Sequence, residues 1–318
     1  PTTTVRVYDI SDKQTPVLTR EFSVDGTYFS SRMIGDYVYV ISNQYTYFVE
    51  TDVFLPRVHS DNQTQKIDAR EIYYYNNSDT SYSFTTIAAI NVQNDQQEPT
   101  YETILMGSTS TIYVSQNNIY LTFREYSWEE PETTKTSIQR IKIDKNTIMF
   151  EAQGEVQGTV LNQFSMDEHK EHFRIATTIG HVSRTFDEAT SKNNVYVLDM
   201  NLNVVGNIED LAPGEKIYST RFMGDRCYVV TFKKVDPLFV IDLETPTNPK
   251  VLGQLNVTGY SDYLHPYDEN HLIGIGKETV EAEEGDFAWY QGVKISLFDV
   301  SDVSNPKELT KFEIGDRG

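Results

Sequence analysis

The sequence contains one cysteine, Cys227, and this excludes an internal disulfide. The cysteine lies in the strand-like run RCYVVTF, where we expect a buried small hydrophobic side chain. No apolar run reaches the roughly 20 residues that a helix needs to cross a bilayer, so no transmembrane segment is predicted. The chain begins at Pro1, and we expect a signal peptide to lie outside it.

Basic residues are also scarce, because Lys+Arg 27 stand against Asp+Glu 47 for a formal net charge of −20. A surface this acidic repels phosphate backbones, so no nucleic-acid partner is expected. The nucleophile elbow, the Walker loop, the dinucleotide glycine pattern, the H-E-x-x-H zinc motif and the EF-hand loop are all missing. The sequence therefore favours a protein without enzymatic activity, although catalytic residues scattered over separate loops would escape these motifs.

One phrase recurs along the chain, as in VYDISDKQTPVL near the start and LFDVSDVSNPKEL near the end. A carboxylate stands seven residues before a proline in three pairs: Asp9 and Pro16, Asp242 and Pro249, and Asp299 and Pro306. Weaker copies contain Asn91, Asp144 and Asp199. The carboxylate can accept N–H groups of the following turn, and proline is tolerated on entry to an edge strand. The phrase therefore predicts a strand–turn–strand unit with a structural role.

A second hairpin alternates with this phrase. SSRMIGDYVYVIS at 30–42 matches STRFMGDRCYVVT at 219–231, and weaker copies lie between the other phrases. Each repeat thus contains four antiparallel strands, which we name a, b, c and d. Repeated four-stranded units without helical periodicity predict an all-β fold, a β-propeller of four-stranded blades. A β-sandwich would not require the same pair of hairpins six times.

The phase of the repeat predicts one propeller domain over 1–318. It consists of a c–d half-blade at 1–25 and five full blades at about 27–107, 108–158, 159–211, 215–258 and 259–315. The a–b half of the first blade is missing from this chain. We therefore expect a longer parent protein with more blades.

Three stretches carry a family resemblance: TTTVRVYDISD at 2–12, LNQFSMDE with FRIATT at 161–168 and 173–178, and YLHPYDENHLIGIGKE at 263–278. They resemble secreted bacterial and archaeal proteins with a C-terminal β-propeller distantly related to WD40 repeats. The resemblance covers the whole chain and implies a propeller that is secreted or associated with the cell envelope. It brings no catalytic residues, and no WD40 role is transferred because the Gly-His and Trp-Asp signatures are missing.

Four connections between strands b and c are long: 43–84, 124–137, 179–194 and 278–292. Long loops on a rigid scaffold are where function tends to lie. Both tryptophans fall in these connections, each with carboxylates close by. The candidate ligand-binding residues are Trp128, Glu129, Glu130, His181, Glu283, Glu284, Asp286, Trp289 and Tyr290.

These features predict an extracellular binding or scaffold module that engages a polysaccharide, peptide or protein through the b–c loops. No cofactor is expected, and calcium is left open because carboxylates are its usual ligands. A carbohydrate-active hydrolase or lyase that uses acidic residues of the same loops is the alternative.

Two weaker groups complete the candidates. His169 and His172 have a spacing that suggests a metal site, but they lie in an a–b turn without a third ligand nearby. Polar and aromatic residues near the starts of a strands would line a central channel: Asn162, Gln163, Tyr218, Tyr260, Asp262 and His265.

Overall fold

Antiparallel β-strands account for nearly all of the regular structure in the computed structural model of the protein. The structure describes residues 1–46, 48–49, 52–60, 63–75, 82–125, 133–182, 189–232, 236–281 and 288–316. Within these ranges the helical structure consists of short 3-10 turns, such as Ala69–Glu71 and Gln163–Ser165, and there is no α-helix. No helix in the described ranges is long and apolar enough to span a bilayer.

The strands follow one another in chain order. They are β1 (Thr2–Asp9), β2 (Val17–Asp25), β3 (Thr27–Ile34), β4 (Tyr37–Tyr45), β5 (Phe48–Val49), β6 (Asp52–Val53), β7 (Arg57–Ser60), β8 (Gln63–Lys66), β9 (Ile72–Tyr74), β10 (Tyr82–Asn91), β11 (Thr100–Gly107), β12 (Thr109–Val114), β13 (Asn118–Glu125), β14 (Lys135–Asp144), β15 (Thr147–Gln157), β16 (Thr159–Val160), β17 (Met166–His169), β18 (His172–Ile179), β19 (Lys192–Leu198), β20 (Val204–Leu211), β21 (Lys216–Met223), β22 (Arg226–Phe232), β23 (Asp236–Asp242), β24 (Lys250–Val257), β25 (Tyr260–Asp268), β26 (His271–Glu281), β27 (Ala288–Asp299) and β28 (Lys307–Ile314).

These strands form six larger sheets within the described ranges, and the all-β prediction is confirmed. In chain order the sheets are β1-β2-β7-β8, β3-β4-β10-β11-β9, β12-β13-β14-β15, β16-β18-β19-β20 with β17 beside β18, β21-β22-β23-β24, and β25-β26-β27-β28. We number them first to sixth. A short β5-β6 hairpin stands apart. Apart from the parallel pair β9 and β11, the strand pairs with a described register are antiparallel.

The segment 43–84 contributes more than a loop. Its strands β7 and β8 extend the first sheet, because β7 pairs with the outer edge of β2 through Phe22 and Ser60 and through Val24 and Val58. Its strand β9 runs parallel to β11 at the edge of the second sheet. The long b–c connection that the sequence predicted therefore adds strands to two neighbouring sheets.

Two compact units divide the chain. One comprises Pro1–Glu125 with Ser137–Gln153, and the other comprises Tyr126–Thr136 with Gly154–Gly318. In the first unit, apolar clusters centre on Ile41 and Ile87 and on Phe22 and Val40. In the second unit, one cluster joins strands of the fourth and fifth sheets and another joins the fifth and sixth. Each unit thus buries apolar sheet faces against one another, as stacked blades require.

Strand c shows this burial most clearly. In β10 the residues from Ser83 to Ile90 are all buried, because β10 lies between β4 and β11 and both of its faces are covered. Cys227 on β22 is likewise fully buried, and burial raises the pKa of its thiol. The prediction of a buried cysteine is confirmed.

Glycines in strand d let neighbouring sheets of the second unit approach closely. A Cβ on Gly206 of β20 would collide with the carbonyl oxygen of Pro246, and one on Gly253 of β24 with the carbonyl oxygen of Val303. Both oxygens belong to the c–d turn of the following sheet. The glycine therefore allows each c–d turn to pack against the preceding outer strand.

Candidate functional site

The repeated Asp-to-Pro phrase forms the turn between strands c and d. In five sheets the side-chain Oδ1 of the repeated residue accepts a backbone N–H two positions on: Ser11 N to Asp9 at 2.8 Å, and Gln93 N to Asn91, Asn201 N to Asp199, Glu244 N to Asp242 and Ser301 N to Asp299 at 2.9 Å each. Strands β2, β24 and β28 each begin directly after the proline. These contacts are the Asx turns that the phrase predicted, and they give it a structural role.

Hydrogen bonds in these turns lower the pKa values of several carboxyl groups. The backbone N–H of Ser11 lowers the pKa of Asp9, and the hydroxyl of Ser301 lowers that of Asp299. The side-chain amide of Asn203 does the same for Asp199. A carboxylate held by donors in this way is stabilised in its ionised form, which the Asx turn requires.

The opposite end of the sheets, where strand b leads into strand c, carries a cluster of four aromatic rings in the second unit. The ring of Tyr260 on β25 lies 4.7 Å from Tyr218 on β21, 5.0 Å from Phe232 on β22 and 5.4 Å from Tyr290 on β27, between centroids. Phe232 and Tyr260 are buried, whereas 45% of Tyr290 is exposed. The buried rings therefore form a fixed support under an accessible one.

Two lysines and one carboxylate accompany the rings. The Lys216 ammonium lies 5.0 Å from the ring centroid of Tyr218, and the Lys277 ammonium lies 5.5 Å from that of Tyr290. Both are cation–π contacts. Asp262 on β25 is exposed. Partial loss of hydration raises the pKa of its carboxyl group, and this effect outweighs the charges of Lys277 and Lys216, which lower the pKa. The cluster thus presents apolar ring faces with charges of both signs.

Of the predicted ligand-binding residues, Tyr290 belongs to this cluster. Trp289 precedes it on β27 and is 44% exposed. Neighbouring residues of a strand point to opposite faces, and Trp289 is paired in register with Val280. The two predicted aromatic residues therefore present their rings on opposite sides of the paired ends of β26 and β27, which we call the β26–β27 arm.

His181 lies at the base of the connection 179–194. Its backbone oxygen accepts the N–H groups of Thr190 at 2.9 Å and Ser191 at 3.0 Å, and its side chain is exposed. The remaining predicted residues lie outside the part of the chain that the structure describes: Trp128, Glu129, Glu130, Glu283, Glu284 and Asp286.

The sequence missed Phe232, Lys216 and Lys277. Phe232 follows the hairpin 219–231 that matches 30–42, but the matched position in the other copy is Asn43, so the repeat gives no aromatic signal there. Lys216 begins β21 and Lys277 lies within β26, and in sequence both resemble ordinary exposed charges. Only the register, which pairs Lys216 with Phe232 and Lys277 with Tyr260, brings them beside the rings.

A second stack occupies the inner strands of the same unit. The Arg221 guanidinium lies 4.6 Å from the ring centroid of Phe164 and 5.2 Å from that of Tyr263, and its Nε donates to the carbonyl oxygen of Leu264 at 2.8 Å. The hydroxyl of Tyr263 lies 3.1 Å from Nδ1 of His265. Of the residues expected to line a channel, His265 joins this stack, and Tyr218, Tyr260 and Asp262 lie in or beside the ring cluster.

The paired histidines have other partners. His169 Nε2 lies 3.1 Å from an oxygen of Asp225, and His172 Nδ1 lies 2.8 Å from the carbonyl oxygen of Lys170. In the described ranges, no group of three or more His, Cys, Asp or Glu side chains is arranged to hold a metal ion.

Comparison with known proteins gives a consistent result. A family model described as "Beta propeller domain" matches residues 1–318. An uncharacterised protein of Methanocaldococcus jannaschii is 48% identical over 198 residues, which cover 62% of this chain and 29% of that protein. An uncharacterised protein of Archaeoglobus fulgidus is 29% identical over 373 residues, which cover 95% of this chain and 56% of that protein. The chain thus spans less than a third of the length of the first relative and little more than half of the second.

Proposed function

Since the chain belongs to the beta propeller domain family, we propose that it is a binding or scaffold module that engages a polysaccharide, peptide or protein at the b–c end of its sheets. We propose an extracellular or cell-envelope location, on the resemblance of its sequence to secreted proteins. A rigid sheet scaffold with irregular loops at one end is suited to a binding role.

The observation that carries the proposal is the accessible ring of Tyr290 on a support of buried rings. A partner that covers this ring removes apolar surface from water at little cost in side-chain entropy, because Phe232 and Tyr260 already hold it. Interfaces draw much of their energy from such anchored aromatic side chains. In the c–d turns the repeated carboxylates are instead engaged within the turns, as Asp9 is with Ser11 and Asp299 with Ser301.

An array of glycans and peptides tests the proposal. We expect the Trp289→Ala/Tyr290→Ala double variant to lose at least roughly tenfold in affinity for the ligands that the unmodified chain captures. Tyr267→Ala is the matched control, because Tyr267 is 68% exposed and lies on the same sheet near the a–b turn. Equal binding by the double variant and the control would show that the ligand does not contact the β26–β27 arm.

Catalysis is the second candidate function, and the raised pKa of Asp262 beside the ring cluster is the observation that favours it. Glycoside hydrolases use a pair of carboxyl groups, one of which has a raised pKa, and the pKa of Asp262 is raised in this way. An active enzyme would release reducing sugar from a captured polysaccharide and would lose this activity as Asp262→Asn. Binding without any release of reducing ends would favour the binding module.

A further inference from the structure

The first unit contains a cavity of about 730 Å³ that is separate from the ring cluster. It lies where β2 ends, β3 begins and β4 ends, and part of the segment 43–84 covers it. Ligand sites of proteins typically have volumes of roughly 300–1,000 Å³ and combine apolar walls with a few placed polar groups. The cavity is therefore large enough for a small organic molecule of several rings.

The backbone around the cavity is fixed by hydrogen bonds. Gly26, between β2 and β3, donates its N–H to the carbonyl oxygen of Pro1 at 2.9 Å and accepts the hydroxyl of Thr3 at 3.0 Å. The hydroxyl of Ser42 donates to the carbonyl oxygen of Asp25 at 3.2 Å. A ligand would therefore meet a preformed wall on this side, which lowers the entropy lost on binding.

One wall is polar, and it contains an ion pair in addition to the ammonium group of Lys66. Asp25, with a side chain only 12% exposed, accepts the Nε of Arg57 at 2.8 Å and its backbone N–H at 3.2 Å. The side-chain amide of Asn43 accepts the hydroxyl of Thr85 at 2.8 Å. These groups can offer further hydrogen bonds, but the carboxylate and the guanidinium compensate each other's charge. The part of the wall formed by Asp25, Arg57 and Asn43 therefore suits hydroxyl groups better than an ionised group.

Gln44 adds an unsatisfied acceptor to this wall. Its Nε2 donates to the carbonyl oxygen of Phe54 at 2.8 Å, and its Oε1 is buried and accepts no hydrogen bond within the described part of the chain. A buried acceptor without a donor costs free energy. If the side chain turned toward the cavity, this amide oxygen would accept a hydroxyl group of a bound ligand.

The other wall and the rim are apolar and aromatic. Val53 and Leu55 are partly buried, while the rings of Phe54 and Tyr45 are 46% and 67% exposed. Exposed aromatic faces beside amide and carboxylate groups suit a molecule with one apolar face and a periphery of hydroxyl groups. Sugars in the pyranose form have this distribution.

We propose that this cavity binds a neutral saccharide of one or two sugar units. The proposal does not depend on the ring cluster or on the proposed function of that cluster, because the two sets of residues lie in different units. The strongly negative formal charge of the chain, −20, further disfavours an anionic ligand.

Ligand-observed saturation-transfer NMR on the 318-residue chain tests the proposal. The probes are glucose, galactose, mannose, N-acetylglucosamine and their β-linked disaccharides, with glucuronate and a neutral tetrapeptide as other classes. We expect saturable binding of at least one neutral sugar. Absence of binding by every neutral sugar up to about 10 mM, or tighter binding of glucuronate or the tetrapeptide, would overturn the proposal.

Variants locate the bound sugar. We expect Gln44→Leu and Tyr45→Ala each to weaken binding roughly tenfold, because the first removes the acceptor and the second removes a ring at the rim. Tyr8→Ala is the control, since Tyr8 is 48% exposed and does not line the cavity. Thermal unfolding reports whether each variant folds. If Gln44→Leu does not fold, Tyr45→Ala still tests the proposal, because Tyr45 is exposed and its removal should leave the fold intact. A folded Tyr45→Ala with unchanged affinity would place the sugar elsewhere.

Discussion

The hairpins β3–β4 and β21–β22 have matched sequences and matched geometry, yet their b–c ends carry different chemistry. In both hairpins the last register pair at the b–c end, which we call the closing pair, is followed by one further pair and then by a β-bulge. The bulge lies between Tyr28 and Ser30 in the first hairpin and between Ile217 and Ser219 in the second. The closing pair itself differs: Thr27 faces Asn43 in the first hairpin, and Lys216 faces Phe232 in the second.

The consequences of this difference are large. Asn43 forms part of the wall of a cavity, whereas Phe232 supports a cluster of aromatic rings. One scaffold thus presents a polar recess in one sheet and a ring surface in another, because the end positions are free of the constraints that fix the hairpin. Repeated residues build the sheets, and residues just outside the repeat shape the proposed binding surfaces.

Substituting each closing residue tests this comparison with the largest expected effect. Phe232→Asn should lower the free energy of unfolding by about 3–5 kcal/mol, since it removes a buried ring and leaves an amide among rings. Asn43→Ala should cost only about 1 kcal/mol, because it removes one hydrogen bond, from Thr85. Urea unfolding followed by circular dichroism measures both. Similar losses in the two variants would contradict the distinction between the two ends.

Substitutions in the repeated scaffold, away from both surfaces, should also lower the free energy of unfolding. Gly253→Ala should lower the free energy of unfolding by about 1–3 kcal/mol, because the added methyl group collides with the c–d turn at Val303. Val251→Ala is the control on the same strand, since Val251 is 44% exposed and should change stability by less than about 0.5 kcal/mol. If Gly253→Ala is as stable as the control, the close packing of turn on strand is wrong.

The carboxylates of the Asx turns should have the smallest effect on stability, and this effect should be visible only at acid pH. The pKa values of Asp9, Asp199 and Asp299 are lower in the folded chain than in the unfolded one, so the unfolded state binds protons first as the pH falls. Their contribution to stability is therefore complete above the unfolded pKa of about 4 and is lost as the pH falls through the folded pKa values.

Replacing these three aspartates by asparagine separates charge from turn geometry. Asn91 already forms the same turn in the second sheet, so asparagine keeps the acceptor and removes the proton linkage. We expect the loss of stability between neutral pH and about pH 3 to be smaller in the triple variant than in the unmodified chain. Thermal unfolding across this range measures the difference, and identical pH profiles would refute the linkage.

The fold was predictable because its signals are local. The phrase from Asp299 to Pro306 specifies a turn within eight residues, and the alternating runs beside it specify two strands. A local signal was also present for the glycines of strand d, because VVGNI and VLGQL place Gly206 and Gly253 at the same position of the repeat. Close approach of a neighbouring turn is the physical reason for both.

The sites were less predictable because they depend on contacts between distant segments. Nothing in RVHS at 57–60 indicates that it pairs with β2, since its few residues lack a clear alternation of apolar and polar side chains. The prediction placed Tyr290 at a binding surface from its loop alone, but its neighbours Tyr218 and Tyr260 come from other strands. The carboxylates near Trp128 and Trp289 remain predictions.

Hydrogen–deuterium exchange on the 318-residue chain, with and without the ligand that the array ranks first, tests the central claim most directly. The claim is that the b–c ends bind and the c–d turns only support the fold. It predicts slower amide exchange on ligand addition in Ala288–Gln291 and Lys216–Tyr218, with no change in the turns 10–16 and 300–306. Protection confined to those turns would contradict it.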